Sequence, residues 1–296
     1  MFIKELPIWQ GTNISPNQGS TDSFELVLNT QVGLLQLKSI KSIERSVSSY
    51  SSEKYNFITK PPGFSEYANS LGDIYINRLL KMIGKKECKN TLEIGAGSNY
   101  IARVLNEKVD IDFLYIVDPT IDNSNNFENI KVFREYYPCN QLKDKKFDLI
   151  YSLNTIEHIP NPDKTLMQVR DGLRDDGIAI FIFPIVENQF IRGDIGSLIH
   201  EHVNYFSFDS AINLFESCGF KIDDLYKTED NIAIKVSKSK IDAINHNKLK
   251  TGDILLPHVN NMQVKVKKNK ILTEKLLKEG YKIGFHGACN ALSNFL

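Results

Sequence analysis

Two glycines and an acidic residue surround one turn in the segment Thr91-Leu92-Glu93-Ile94-Gly95-Ala96-Gly97-Ser98-Asn99. The apolar residues predict a strand that enters the turn, and the residues after it predict a helix. Glycine lets a backbone turn sharply and approach a ligand closely, while a helix start offers unpaired N–H groups. The segment therefore predicts a cofactor site that includes Glu93, Gly95, Ala96, Gly97 and Asn99. The alternative is a tight turn that binds nothing.

The residue at position 100 bears on which cofactor this turn favours. A dinucleotide site follows G-x-G-x-x-G, whose last glycine lets the helix pack closely on the strand. Tyr100 occupies that position, and its bulk disfavours a dinucleotide. Asp118 and Pro119 follow the next predicted strand, where a carboxylate can accept both ribose hydroxyls of an adenosine. A strand-end aspartate can also cap a helix, but beside the glycine turn Asp118 predicts an adenosine-containing cofactor.

A second group of chemically active residues is His200-Glu201-His202. It follows a later predicted strand and a loop, which places it at the carboxyl end of the sheet, where such folds bind ligands. Imidazole titrates near neutral pH, so a histidine here can take a proton from a substrate carbon or hydroxyl, and Glu201 can orient it. Zinc ligands on helices stand four residues apart, so no metal is expected. Alternatively, the histidines cap the next helix or satisfy loop carbonyls.

The stretch from Phe147 to Pro162, which contains Glu157-His158-Ile159-Pro160, resembles the fourth strand and following loop of class I S-adenosylmethionine-dependent methyltransferases. Glu93 and its spaced glycines fit the same family. Asn99 stands where a third glycine is common, and asparagine tolerates a left-handed φ. The resemblance implies S-adenosylmethionine as cofactor, with the backbone of Ser152, Leu153 and Asn154 along its methionine part. Glu157 and His158 are expected to be structural.

A closer resemblance is to C-methyltransferases of nucleotide-linked ketosugars, which carry a YHEHxxYFS segment. His200-Glu201-His202 and Tyr205-Phe206-Ser207 match it. The resemblance implies His202 as the base, His200 and Glu201 beside it, and Tyr205 and Phe206 at the substrate. Ile199 replaces the family's tyrosine. Asn29 and Val32 replace zinc-ligating cysteines, so a metal-free amino-terminal domain is expected.

Strand and helix patterns alternate from about residue 70, which indicates a parallel sheet covered by helices on both faces. The expected fold is a class I methyltransferase Rossmann-like α/β sheet, doubly wound. The predicted domains are a small amino-terminal domain (1–68), the S-adenosylmethionine-binding domain (69–237), and a helix with the start of a Rossmann-like segment (238–296). Within the last, a strand is predicted over 281–285 and a turn over 286–288.

The composition limits which partners and which cellular location are expected. Lysine plus arginine equals aspartate plus glutamate, at 36 each, which gives no reason to expect nucleic acid or a membrane as partner. No apolar leader or membrane-length apolar run is present, and the cysteines form no CxxC pair, so a cytoplasmic protein is expected. The predicted function is methyl transfer to a sugar or nucleotide-linked sugar, in polysaccharide biosynthesis or other sugar modification. The alternatives are an O-methyltransferase of a surface glycan or related small molecule, and a non-catalytic nucleotide-sugar-binding homologue.

Overall fold

The computed structural model describes residues 2–8, 20–38, 40–50, 57, 59–121, 128–239 and 255–282. Its strands are β1 Phe2–Ile8, β2 Ser20–Asn29, β3 Leu34–Leu37, β4 Asn90–Ile94, β5 Phe113–Val117, β6 Ile130–Phe133, β7 Phe147–Leu153, β8 Leu173–Pro184, β9 Asn204–Tyr205, β10 Phe220–Lys227 and β11 Asn231–Lys238. Its α-helices are α1 Ile40–Tyr50, α2 Glu66–Ile83, α3 Tyr100–Lys108, α4 Pro162–Gly172, α5 Glu187–Arg192, α6 Phe208–Ser217 and α7 Leu255–Lys278. The predicted turn at 286–288 lies outside these residues, as does most of the predicted strand at 281–285.

The main sheet has seven strands in the order β10-β11-β8-β7-β4-β5-β6. The five strands from β4 to β8 pair in parallel. The expectation of a parallel sheet is corrected at one edge, because β11 and β10 are antiparallel to their neighbours. A short connection from β10 to β11 makes this hairpin possible, whereas a parallel pair needs a long crossover.

Two hydrophobic clusters cover the two faces of this sheet. Successive residues of a strand point to opposite faces, and β7 shows this: Ile150 belongs to one cluster, while Leu149 and Tyr151 belong to the other. The first face is packed by α4 and α6, and the second by α2 and α3. This layering explains why the strands of the sequence are continuous apolar runs, and it confirms the expected Rossmann-like α/β fold.

A second sheet has the order β1-β2-β3-β9. Its last strand comes from far along the chain, since Leu35 of β3 pairs with Tyr205 of β9. Val32 and Leu34 also pack into a cluster of the main sheet. The division of the chain at residue 68 stays a prediction, but these contacts join the two sides of that boundary in one packed unit.

Within the described residues, none of the helices is long and apolar enough to cross a membrane.

Candidate active site

The main sheet changes direction of winding between β4 and β7. From β4 the chain builds outward through β5 to β6, and it then returns to the other side of β4 at β7. Loops at the carboxyl ends of two such strands diverge and leave a crevice, which is where open α/β sheets bind ligands. A cavity of about 780 Å³ lies at this point, and residues after β4, β5, β7 and β8 line it.

The glycine turn after β4 forms one wall of the cavity. Gly95 and Gly97 have φ angles of 75° and 63°, in the left-handed region that side chains disfavour. A Cβ atom on Gly95 would lie only 2.2 Å from Oγ1 of Thr155. That hydroxyl is 3.0 Å from the carbonyl oxygen of Gly95, which closes the turn against the loop after β7. The glycines therefore bring the backbone to the cavity without a side chain in the way.

Asn99 does not have the conformation expected for it. It is the N-cap of α3 with φ −91° and ψ 9°, which any residue adopts, and it does not line the cavity among the described residues. No left-handed turn is needed here because the chain already enters the helix. The left-handed asparagine is Asn154, with φ 48°, whose side-chain amide donates to the Tyr75 hydroxyl at 2.9 Å.

The carboxylate of Asp118 holds the glycine turn from the next strand. Its Oδ2 accepts from the Gly97 N–H at 2.7 Å, and its Oδ1 accepts from the N–H and hydroxyl of Thr120 at 2.6 and 2.5 Å. A carboxylate has about four acceptor positions, so these three hydrogen bonds leave one position for a ribose hydroxyl. A second position becomes available where a ribose hydroxyl displaces Thr120 Oγ1. Asp118 and Pro119 both line the cavity, and this arrangement fits an adenosine.

Glu93 lies at the end of β4, almost wholly buried, and lines the cavity. Burial raises the pKa of Glu93 to about 8, although the Tyr151 hydroxyl that donates to its Oε2 at 2.9 Å opposes this rise. A cationic group in the cavity would stabilise the ionised form of Glu93. The methionine part of S-adenosylmethionine carries such charges, so the residues present fit this cofactor.

The three residues expected along the methionine part behave differently. Leu153 and Asn154 line the cavity, as does Ala96 in the glycine turn. Ser152 does not line it: its side chain is buried within the sheet, and its hydroxyl donates to the carbonyl of Ile94 at 2.9 Å. Ser152 therefore ties β7 to β4 rather than contacting a ligand through its side chain.

His202 reaches the cavity, and so does His158 from the loop after β7. The centres of the two rings lie 4.9 Å apart, almost perpendicular to each other. Burial lowers the pKa of His158 to about 4. Burial, with His158 adding to it, holds the pKa of His202 well below its usual range. Both imidazoles are therefore neutral at physiological pH, and a neutral imidazole has a lone pair that can accept a proton.

His200 does not belong to this site. Its ring is buried against Phe24, with 5.4 Å between ring centres, and its Nε2 lies 3.1 Å from the carbonyl oxygen of Leu6, to which it donates. It is absent from the described cavity lining. The structure does not bring His200 to the predicted base, because the two histidines lie in a turn, in which the His202 N–H donates to the Ile199 carbonyl at 3.2 Å, and not in an extended strand that would point them the same way. Glu201, which lies between them, does line the cavity.

The structure does not bring Tyr205 and Phe206, the expected substrate contacts, to the cavity. Both are 0% exposed, and neither lines the cavity within the described residues. The Tyr205 hydroxyl donates to the carbonyl of Ile199 at 2.8 Å, which fixes the loop that carries His202. Phe206 packs against Phe183 in the main core. Tyr205 therefore holds the loop next to the site, and Phe206 belongs to the core.

Sequence reasoning missed several residues of the cavity wall. Glu157 is buried, lies beside His158 and His202, and has its pKa raised to about 8 by that burial. Gln189 lines the cavity from α5, in a region expected to be a loop. Other wall residues lie in the segments around β6 and α4: Tyr136, Tyr137 and Lys164. Among these residues, only Glu157 belongs to a recognisable sequence motif, Glu157-His158-Ile159-Pro160.

The architecture and the adenosine-binding wall define an α/β nucleotide-cofactor enzyme of the class I methyltransferase type. The family model described as "Methyltransferase domain" matches residues 66–225, more than half of the chain. The chain therefore belongs to this methyltransferase family, and S-adenosylmethionine is its cofactor.

Two curated relatives and one solved structure illustrate the range of similarity. "C-methyltransferase NovU" of Streptomyces niveus is 30% identical over 81 residues, which span 27% of this chain and only 19% of that protein. "Malonyl-[acyl-carrier protein] O-methyltransferase" of Calditerrivibrio nitroreducens is 24% identical over 58% of this chain and 68% of its own. The PH0226 protein of Pyrococcus horikoshii shares the fold, with a TM-score of 0.50 and 17% identity over 62% of this chain and 96% of that one.

Proposed function

We propose that this enzyme methylates a sugar or nucleotide-linked sugar, with His202 as the general base. S-adenosylmethionine, when bound, supplies an electrophilic methyl group. The observation that carries the proposal is that one cavity joins the cofactor wall, from Glu93 to Asp118, to the neutral imidazole of His202. The resemblance to ketosugar C-methyltransferases supports this substrate class, and the similarity to "C-methyltransferase NovU" supports carbon as the acceptor atom.

Gln189 supports a substrate rich in hydroxyl groups. Its amide nitrogen donates to Asp230 at 3.3 Å, which fixes the orientation of the amide. Its Oε1 atom is buried and has no hydrogen-bond partner among the described residues, although the residue lines the cavity. A buried acceptor without a donor costs free energy. A hydroxyl of the substrate supplies the missing donor.

In the proposed reaction, the cavity holds the acceptor atom in line with the methyl group, and such positioning alone removes much of a barrier. His202 takes the proton that leaves the acceptor. Burial keeps its ring neutral, so a lone pair is available at physiological pH. The carbonyl of Ile199 and the hydroxyl of Tyr205 fix the loop that carries it.

We expect His202→Ala to lower turnover about 10²- to 10⁴-fold, the range of a positioned general base. Calorimetric titration with S-adenosylhomocysteine should show unchanged cofactor binding in this variant. Asp118→Ala and Gly97→Arg should abolish that binding, because they remove or fill the adenosine wall. The assay uses a panel of nucleotide-linked ketosugars. A wild-type rate in His202→Ala would refute the base assignment.

Methyl transfer to oxygen is a second candidate, favoured by the similarity to the malonyl-[acyl-carrier protein] O-methyltransferase. A hydroxyl acceptor loses its proton to the same imidazole, so both chemistries suit His202. The position of the new methyl signal in the NMR spectrum of the product separates them. A methyl on carbon supports the first candidate, and a methyl on oxygen supports the second.

A further inference from the structure

We propose that Glu157, His158 and His202 bind a divalent transition-metal ion, and that the bound ion inhibits methyl transfer because it occupies His202. The first part concerns metal binding alone. The second part rests on the proposed function, in which His202 is the base.

The three side chains offer one ligand atom each, and these atoms all lie within 4.8 Å of one another. The Glu157 Oε1 and His158 Nε2 atoms are 3.8 Å apart. Zinc holds nitrogen and oxygen ligands at about 2.0 to 2.2 Å, so ligand atoms of one tetrahedral shell lie about 3.4 Å apart. Small side-chain rotations would close the described arrangement to that spacing.

The buried carboxylate of Glu157 has an oxygen atom that favours a cationic ligand. The residue is 2% exposed, and its Oε2 atom has no hydrogen-bond partner among the described residues. A buried carboxylate without a donor is costly unless a proton, a counter-ion or a metal compensates it. Since Glu157 lines the cavity, an ion can reach it from there.

His158 is already oriented as metal-binding histidines are. Its Nδ1 lies 2.9 Å from the carbonyl oxygen of Glu201 and 3.0 Å from the hydroxyl oxygen of Tyr50. The carbonyl can only accept, so Nδ1 carries the proton, and the Tyr50 oxygen is a second acceptor beside it. The lone pair is then on Nε2, the atom that faces Glu157. Metal-ligating histidines commonly donate their other ring N–H to a backbone carbonyl, which fixes the tautomer and the ring.

The two segments that supply the ligands are held together by backbone contacts. The Val203 N–H donates to the Glu157 carbonyl at 2.8 Å, and the Asn204 amide donates to the carbonyls of Ile156 and Ile159 at 2.9 and 2.7 Å. The cluster is therefore preorganised by structure that surrounds it, as an effective site requires. Two imidazoles and one carboxylate suit zinc and similar transition metals better than magnesium, which prefers oxygen ligands.

A bound ion and a free base exclude each other at His202, because a neutral imidazole has one lone pair. Zinc should therefore lower turnover, and a chelator should restore it. Glu93, Gly97 and Asp118 are not among the three ligand residues, so the affinity for S-adenosylhomocysteine should not change with zinc.

Cobalt titration of the full chain, without cofactor or acceptor, tests the metal site. Co²⁺ bound by nitrogen and oxygen ligands absorbs visible light, so binding is read directly. We expect saturation at one ion per chain, and an affinity at least about 10-fold weaker in each of Glu157→Gln, His158→Ala and His202→Ala. His258→Ala, in α7 and outside the cluster, is the matched control and should bind as the wild type does. Far-UV circular dichroism verifies that each variant is folded.

Absence of saturable cobalt binding to the wild type would overturn the proposal. Equal affinity in the three cluster variants and in His258→Ala would overturn it as well, because the ion would then lie elsewhere. Cobalt binding that the cluster variants lose, together with no methyl transfer to any acceptor, would leave the metal site standing and refute the proposed function. Turnover that is unaffected by saturating zinc would refute the inhibitory role.

Discussion

Gly95 shows how a single residue shapes the cofactor wall. It combines a left-handed backbone with a close approach to Thr155, whose side chain links the turns after β4 and β7. We expect Gly95→Ala to lower the free energy of unfolding by about 1 to 3 kcal/mol for the steric overlap, beyond about 1 to 2 kcal/mol for the left-handed backbone. Binding of S-adenosylhomocysteine should weaken as the turn shifts. Urea unfolding and calorimetry measure the two effects.

Gly84 offers a matched control for this prediction. Its φ of 65° is also left-handed, but a Cβ atom there would meet nothing within 4 Å. Gly84→Ala should therefore show the backbone cost alone and leave cofactor binding intact. If both alanine variants unfold at the same urea concentration and bind alike, the contact with Thr155 does not constrain the turn.

The sequence predicted best the residues whose role depends on nearby neighbours. The glycine turn, Asp118 and the strand ends that carry them form within a few residues of each motif, so their spacing indicated their geometry. Asn99 is the exception, because it is a helix N-cap rather than a left-handed turn residue. His200, Tyr205 and Phe206 do not line the cavity among the described residues, for a different reason. Their environment is built by Leu6, Phe24 and Phe183, which are distant in sequence.

At the scale of elements, the alternation of strand and helix patterns from about residue 70 agrees with the observed strands β4 to β8 and the helices between them, because buried strands and amphipathic helices leave strong apolar patterns. The helix α1 was not predicted, and α5 lies in a segment expected to be a loop. The helix α5 has only six residues, and α1 is rich in serine, a residue common in loops. The pairing of β3 with β9 was also missed, because a strand of two residues is too short for its sequence to indicate which strand it pairs with.

Asn204 is the residue through which β9 holds the active-site loop. Its amide donates to two carbonyls of the loop after β7, and its Oδ1 accepts from Gln36 of β3 at 2.8 Å. We expect Asn204→Ala to lower the free energy of unfolding by about 2 kcal/mol or more, since it leaves buried carbonyls without donors. Turnover should fall further than cofactor affinity, because Asn204 follows the base His202 by two residues and ties that segment to the loop after β7. Thermal unfolding and steady-state kinetics measure these effects.

Gln36→Ala is the control for Asn204→Ala. This variant removes only the hydrogen bond that the Gln36 amide donates to Asn204 Oδ1. The carbonyls of Ile156 and Ile159 keep the Asn204 amide as their donor. Gln36→Ala should therefore destabilise the protein less and leave turnover near that of the wild type. Equal losses of turnover in the two variants would contradict the view that Asn204 acts through the loop after β7.

At the scale of the whole molecule, the two sheets share a core. Leu34 is fully buried among residues of the main sheet, although it belongs to the amino-terminal strands. We expect Leu34→Ala to lower the free energy of unfolding by about 2 to 5 kcal/mol, in one transition that fluorescence and circular dichroism report together. Val27→Ala, at a position 37% exposed on β2, should change it by about 0.5 kcal/mol or less. Two separate transitions in Leu34→Ala would show instead that the sheets unfold independently.

The long-range pairing of β3 with β9 also has a consequence for synthesis on the ribosome. Gln36 and Asn204 lie 168 residues apart in the chain, so β3 leaves the ribosome long before its partner. Translation proceeds at about 5 to 20 residues per second, which leaves the open edge of β3 exposed for roughly 10 to 30 s. An unpaired strand edge is a template for aggregation. The nascent amino-terminal sheet is therefore the part of this enzyme that should depend most on chaperones.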